Sequence, residues 1–345
     1  MQKKLIALAV ASILAAPLAA QAGVEIYGQA RMSLDFNSNN DPATGFEDSG
    51  LAVSSNKSRL GFKGDEDLGG GLKALWLIEQ GVTLDTNPGF TANRDAYLGL
   101  GGGFGTVLAG RINNPYKNST QGMDIFLNTR GDYNAIMGAV NSTSAPFNSR
   151  FSNSIQYRSP DMSGFKGALA YSVNRGDDDL PNSTVVSEND GYSLSGSYAQ
   201  GPLFVTAAYE SQNSAVNDAT AFKIGGTFAL GGMTTLGAIW ETADLGGTNQ
   251  DRDAIYLNAA HKMDAITLKA AFTMADEKGG VANTGATQFA LGAAYALSKT
   301  TEAYAMYTMV GNDSAAMYTL EGVGGVIGQD VSSFSVGLNH TFSSK

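Results

Sequence analysis

Apolar and polar residues alternate along this chain with a period of two. Val24, Ile26, Gly28, Ala30, Met32, Leu34 and Phe36 interleave with Glu25, Tyr27, Gln29, Arg31, Ser33 and Asp35. Successive side chains of an extended strand point to opposite faces, so one face of this segment meets an apolar surrounding and the other a polar one. The same dyad returns over 150–158, 266–274 and 289–297, and no helix-period segment of comparable length follows residue 23. Strand and turn signals together predict sixteen strands, at 24–36, 51–64, 71–84, 92–101, 104–113, 150–160, 164–175, 189–200, 202–211, 219–230, 232–243, 251–262, 264–277, 285–297, 299–311 and 331–342. The connections alternate in length. Short ones include Pro160-Asp161-Met162-Ser163, Gln200-Gly201, Gly231-Gly232, Met263-Asp264 and Ser298-Lys299, and long ones cover 37–50, 176–189, 244–250 and 312–330. An even number of antiparallel strands of ten or more residues, with short turns at one rim and long loops at the other, predicts an all-β transmembrane antiparallel barrel. A soluble sandwich would call for larger branched residues on the apolar faces than this Ala/Gly/Tyr/Phe mixture.

Aromatic residues fall where two interfacial girdles would need them. Phe165, Tyr198, Phe204, Phe228 and Tyr295 lie near short turns, and Phe36, Tyr209, Trp240 and Tyr307 near long loops. Gly28, Ala30, Ala74, Tyr97 and Gly99 suggest a small, flat outer surface suited to barrel–barrel contact. The first 22 residues read differently: Lys3 and Lys4, an apolar run, then Ala20-Gln21-Ala22 form the pattern of a cleaved secretory signal peptide. That leaves 23–345 as one barrel domain, and losing the two lysines takes the formal net charge from −10 to −12.

Composition removes several classes of function. There is no cysteine, so disulfides, zinc–thiolate centres and thiol nucleophiles are out. The two histidines, His261 and His340, lie in different segments and do not suggest a metal site. The acidic balance argues against nucleic acid. Gly101-Gly102-Gly103-Phe104-Gly105-Thr106 lacks dinucleotide spacing and precedes a strand, which makes it a hairpin turn. Asp65-Glu66-Asp67 begins like a calcium loop, but its twelfth position is Trp76. Asp177-Asp178-Asp179 reads as a solvated loop face, with bridging to lipopolysaccharide through divalent cations as the alternative. No nucleophile–base–acid set and no cofactor motif stands out, so an enzyme is not expected.

Three segments resemble a known family. The run from Ser58-Arg59-Leu60-Gly61-Phe62-Lys63-Gly64-Asp65-Glu66-Asp67-Leu68 to Gly69-Gly70-Gly71-Leu72-Lys73-Ala74 resembles the second-hairpin signature of Gram-negative general diffusion porins. Asn93-Arg94-Asp95-Ala96-Tyr97-Leu98-Gly99-Leu100, with Phe104-Gly105-Thr106-Val107 and Gly110-Arg111, resembles their fourth and fifth strands. Arg150 and Ser154-Ile155-Gln156-Tyr157-Arg158-Ser159-Pro160 resemble the sixth. The resemblance implies a homotrimer of 16-stranded barrels in the outer membrane, in contact with lipid and lipopolysaccharide, whose third loop folds into a water-filled pore for ions and small hydrophilic solutes. One departure is visible: the family typically ends on Phe, whereas here Phe342 is followed by Ser343-Ser344-Lys345.

The long connection 114–149 is where such a lumen would narrow, and loops of that length are usually functional or disordered. Met123, Ile125, Phe126, Leu127, Tyr133, Ile136 and Met137 need a surface to pack on, and folding inward against the wall provides one. Alternation puts Arg31, Arg59, Arg150 and Arg158 on the polar face with Lys57 beside them. By resemblance, Arg59, Arg94 and Arg150 match the porins' arginine cluster, with Gln29 where relatives often have lysine. Asp124 and Asp132 are the loop carboxylates best placed to face it. Fixed charges of opposite sign would set a transverse field. A substrate-specific channel, which would want a line of aromatics on the polar face, and a surface receptor or adhesin barrel are the alternatives.

Overall fold

A computed structural model of the chain describes residues 23–41, 46–47, 50–86, 89–140, 146–175, 189–214 and 217–345. The leader 1–22 and the triplet Asp177-Asp178-Asp179 lie outside the described residues. Sixteen strands follow one another: β1 (Glu25–Asp41), β2 (Gly50–Ser55 and Arg59–Gly69, one strand interrupted at 56–58), β3 (Leu72–Thr83), β4 (Gly89–Gly102), β5 (Gly105–Asn113), β6 (Arg150–Arg158), β7 (Phe165–Ser172) and β8 (Gly191–Gln200). The second half comprises β9 (Leu203–Gln212), β10 (Ala219–Leu230), β11 (Thr234–Asp244), β12 (Asp251–Met263), β13 (Ile266–Ala275), β14 (Ala286–Ala296), β15 (Thr301–Asn312) and β16 (Val331–Ser343). A two-residue piece, Phe46–Glu47, pairs with the tip of β1.

Every strand pairs antiparallel with its sequence neighbours, and β1 pairs with β16 from Tyr27↔Ser343 to Asn39↔Val331. The sheet therefore closes on itself with no free edge, the only way strands can cross hydrocarbon with all backbone groups paired. The terminal tail continues this closure: Ser344 donates its N–H to Ile26 O at 2.9 Å and accepts from Ile26 N–H through its hydroxyl at 3.0 Å. At the short-turn rim Gly69, Gly70 and Gly71 take φ of 84, 62 and 80°, a left-handed run that side chains disfavour, and so turn β2 into β3.

The alternation sorts side chains as expected. Leu34, Leu98, Ile155 and Leu194 stand exposed on the outer face, while Ser33, Asp35, Gln156, Ser193 and Glu210 are buried inside. An apolar exterior over a polar interior suits lipid outside and water within. Phe165, Tyr295, Phe36, Trp240 and Tyr307 lie on that outer face, with Phe165 and Tyr198 in ring contact at 4.3 Å. Phe204 does not join them; it turns inward and packs against the cluster under the third loop. Tyr97 and Gly99 are likewise not on the outer surface. Their neighbours Leu98 and Leu100 point out, and a Cβ on Gly99 would meet the side chain of Leu108, which is buried inside.

Candidate functional site

The connection after β5 turns into the barrel. It opens with α1 (Pro115–Gln121), capped by the Asn114 side chain accepting from Lys117 N–H, with proline in the first turn where its missing N–H costs nothing. Beyond α1, Met123, Phe126, Tyr133, Ile136 and Met137 are nearly inaccessible and pack on Tyr256, Ala271, Ala290 and Met306 of the wall. The loop's polar backbone is matched from β8, β12 and β1. Tyr116 N–H donates to Ser193 Oγ at 2.9 Å, Asn258 Nδ2 to Met123 O at 3.2 Å, and Arg31 Nη1 to Leu127 O at 3.1 Å. A buried ion pair anchors its far end. Glu241 accepts from Arg252 at 2.8 Å, from Tyr116 Oη at 2.7 Å and from Gly138 N–H at 2.6 Å, while Arg252 also donates to the carbonyls of Ile136 and Ala139.

The last long loop also folds inward, which the sequence reading did not anticipate. Ala316, Tyr318 and Leu320 are fully buried in the same cluster, and Glu321 binds Lys57 at 3.0 Å. Arg130, on the third loop, pairs with Asp35 of β1 at 2.9 Å and donates to Glu321 O. The apolar run Met317-Tyr318-Thr319-Leu320 was the available signal.

Facing the third loop, the wall carries its arginines on a bulge. Ile78 pairs with Ala96 and Gln80 with Asn93, so Arg94 and Asp95 together stand opposite Glu79. Arg94 and Arg59 both pair with Glu79, the latter at 3.3 Å, and Arg150 pairs with Asp95 at 2.6 Å. Arg94, Arg150, Lys57 and the loop's Lys117 then line one cavity of about 340 Å³ together with Asp132. Lys57 reaches it from the interruption in β2, where its backbone adopts φ 55°, a left-handed conformation that costs a lysine on the order of 1 kcal/mol.

The other named residues are placed differently. Arg31 lines a separate recess beneath the loop. Arg158 lies eight residues along β6 from Arg150, roughly 26 Å at strand rise, and bonds Gln156 at 2.6 Å; it is not part of the cluster. The loop acids are largely consumed by their own backbone. Asp124 accepts from the N–H of Phe126 at 2.9 Å and of Tyr133 at 3.2 Å, and Asp132 from those of Asn128 and Asn134. Burial, and next the neighbouring Asp132, push the Asp124 carboxyl well above the usual carboxylate range. Asp124 thus lies at the edge of Arg31's recess with its oxygens spent on the loop backbone rather than as a free charge. Lys117, Glu79 and Asp95 were missed. Asp95 is adjacent to Arg94 in the sequence, whereas only the bulge puts Glu79 between two arginines.

Burial is the main cause that lowers Lys117 to about 7, with Arg150 and Lys57 adding repulsion. Lys57, Arg94 and Arg150 each hold a carboxylate, Glu321, Glu79 and Asp95 in turn, so Lys117, which donates to Asn148 O at 2.8 Å, is the lining cation with no paired acid among the described residues. Among the described residues no group of three or more His, Asp or Glu could hold a metal ion.

Comparison with known proteins agrees with this architecture. The chain is 36% identical over 175 residues to the major outer membrane protein P.IB of Neisseria gonorrhoeae and 34% identical over 178 residues to that of Neisseria meningitidis serogroup B. Each match covers 50% of this chain and 48% or 50% of the relative, so the chain spans about half the length of the curated relatives it matches. Among solved structures, an anion-selective porin from Comamonas acidovorans superposes with a TM-score of 0.80 at 24% identity, covering 93% of this chain and all of that one. OmpF of Salmonella typhi in complex with daunomycin follows the same fold, with a TM-score of 0.71 at 17% identity over 93% of this chain. The family model described as Gram-negative porin matches residues 7–315, and the chain belongs to that family.

Proposed function

We propose that the chain is a general diffusion channel of the outer membrane, exported with cleavage after Ala22 and assembled as a homotrimer in lipid and lipopolysaccharide. Ions and small hydrophilic solutes pass through the barrel without a cofactor, and the loop 114–149 forms the constriction. The observation that carries this reading is the cavity between the inward loop and the wall, lined by Lys57, Arg94, Lys117 and Arg150. In a narrow passage of reduced dielectric a fixed cation lowers the barrier for anions and raises it for cations. Lys117 on the loop side and the covered Asp124 support an anion preference over a field between opposed walls. The Comamonas acidovorans structure of this fold is itself of an anion-selective porin.

Single-channel recording in planar bilayers under a salt gradient tests this. We expect steady ohmic conductance and a reversal potential on the anion side. A barrel that conducts nothing, or one selective for cations, removes the reading.

A further inference from the structure

Against the third loop a second recess of about 210 Å³ opens between the loop and strands β13 to β16 and β1. Phe126 and Leu127 of the loop with Met306 and Ala294 of the wall supply its apolar lining, beside the polar Asp124, Thr129 and Asn339. Its rim carries three charges. Arg31 and Glu302 flank Asn339 in one cross-strand row, Arg31↔Asn339↔Glu302, and Lys269 stands in the row of Gly292 and Met306.

These charges differ from most of the arginines named above. Arg59, Arg94, Arg130, Arg150 and Arg252 each hold a carboxylate. Among the described residues Lys269 has no ion pair or hydrogen bond, Glu302 has only a 3.5 Å contact from Asn339 Nδ2, and Arg31 spends one N–H on Leu127 O. Arg31 and Glu302 face each other across Asn339 with no direct ion pair, and with Lys269 they keep bonding capacity for a solute that carries the complementary charges. Gly292 keeps the floor low, for a Cβ there would come to about 3.0 Å of the Phe126 ring.

We propose that this recess is a binding station for small zwitterions bearing an apolar group, the chemical class of the aliphatic α-amino acids. The carboxylate sits toward Arg31 and Lys269, the ammonium toward Glu302, and the side chain lies on Phe126, Leu127 and Met306. Binding at a station of this kind is weak and brief, since a channel must release what it admits. The proposal rests on the lumen being an open diffusion path, and it names a solute class for that path.

The test is single-channel recording of the whole protein in potassium chloride with L-leucine, glycine, 4-methylpentanoate or isoamylamine added to either side. Leucine is expected to interrupt the current at lower concentration than glycine, which lacks the apolar group, and than the two singly charged analogues. Glu302→Gln and Lys269→Met are each expected to raise the concentration needed by about tenfold or more, the loss of one charge-assisted contact. The proposal is overturned if leucine acts no more strongly than glycine, if 4-methylpentanoate matches it, or if both variants respond to leucine like wild type. The comparison of solutes on the wild-type channel stands even if a variant fails to assemble. A pore that conducts salt but ignores leucine removes only this proposal, whereas one that passes no potassium chloride current removes the diffusion reading and this proposal with it.

Discussion

Arg150 keeps its charge in the lumen against a single partner, Asp95, whereas Glu79 is shared by Arg59 and Arg94. The two sites should therefore respond unequally to loss of an arginine. Arg150→Ser removes a cation and unmasks a carboxylate, so the reversal potential should move strongly toward cations; Arg59→Ser should move it the same way but less, because Arg94 still neutralises Glu79. Wild-type reversal potentials in both would detach these arginines from the conduction path. Lys117 makes the pore sensitive to pH. Its ammonium is lowered to about 7, so the charge is present below that pH and is lost as pH rises through it. Anion preference should increase on acidification from pH 8 to 6, and Lys117→Met should flatten that step in a titration of reversal potential. The arginines were legible in the sequence because alternation and the resemblance both pointed to them. Their carboxylates were not, because Arg150 and Asp95 are 55 residues apart and only the ring of strands brings them together.

The third loop is an element that owes its position to packing rather than to ladder hydrogen bonds. Its length and apolar residues already indicated an inward fold, and Phe126, Tyr133, Ile136 and Met137 are indeed buried there. What holds its far end is Glu241 with Arg252, both fully buried. Removing one partner of such a pair strands the other charge, at a cost of about 3–5 kcal/mol. Glu241→Gln should accordingly lower the thermal unfolding transition and make the open-channel current noisier as the loop detaches. An unchanged transition and a quiet current would show that the apolar contacts suffice. Deleting residues 122–138 goes further, since it takes out the apolar body of the loop. Conductance should rise while the circular dichroism of the strands persists, because the sheet loses none of its interstrand bonds. If conductance stays the same, the loop does not narrow the passage.

At the scale of the molecule, the outer face decides how copies associate. Gly28 lies beneath the ring of Phe342, and a Cβ there would clash with it, so the seam between β1 and β16 is flattened by one aromatic laid over a glycine. With Ala30 and Ala74 on the same side, and Tyr97 and Gly99 turned inward, the flat patch centres on the first strands and the closing strand. Cross-linking in mild detergent should yield trimers that resist heating. Monomers alone would leave the patch as plain lipid-facing surface.

The sequence by itself determined the number of strands, their order, the two solvents they separate and the inward turn of the third loop. Each of these follows from a local property: the period of two, the spacing of turn residues, or the stranding of apolar side chains in a long loop. Only the tertiary structure decided which charges remain available. Arg158 sits on the polar face but far along its strand from Arg150, and Asp124 is spent on the N–H groups of Phe126 and Tyr133. The last loop packs into the lumen beside the third and engages Lys57 through Glu321. Alternation tells which face a side chain takes but not how high it stands or what it meets across the lumen. Height and partner depend on the bulges at Glu79 and in β2, on the register of the closed ring, and on loops that compete for the same apolar wall.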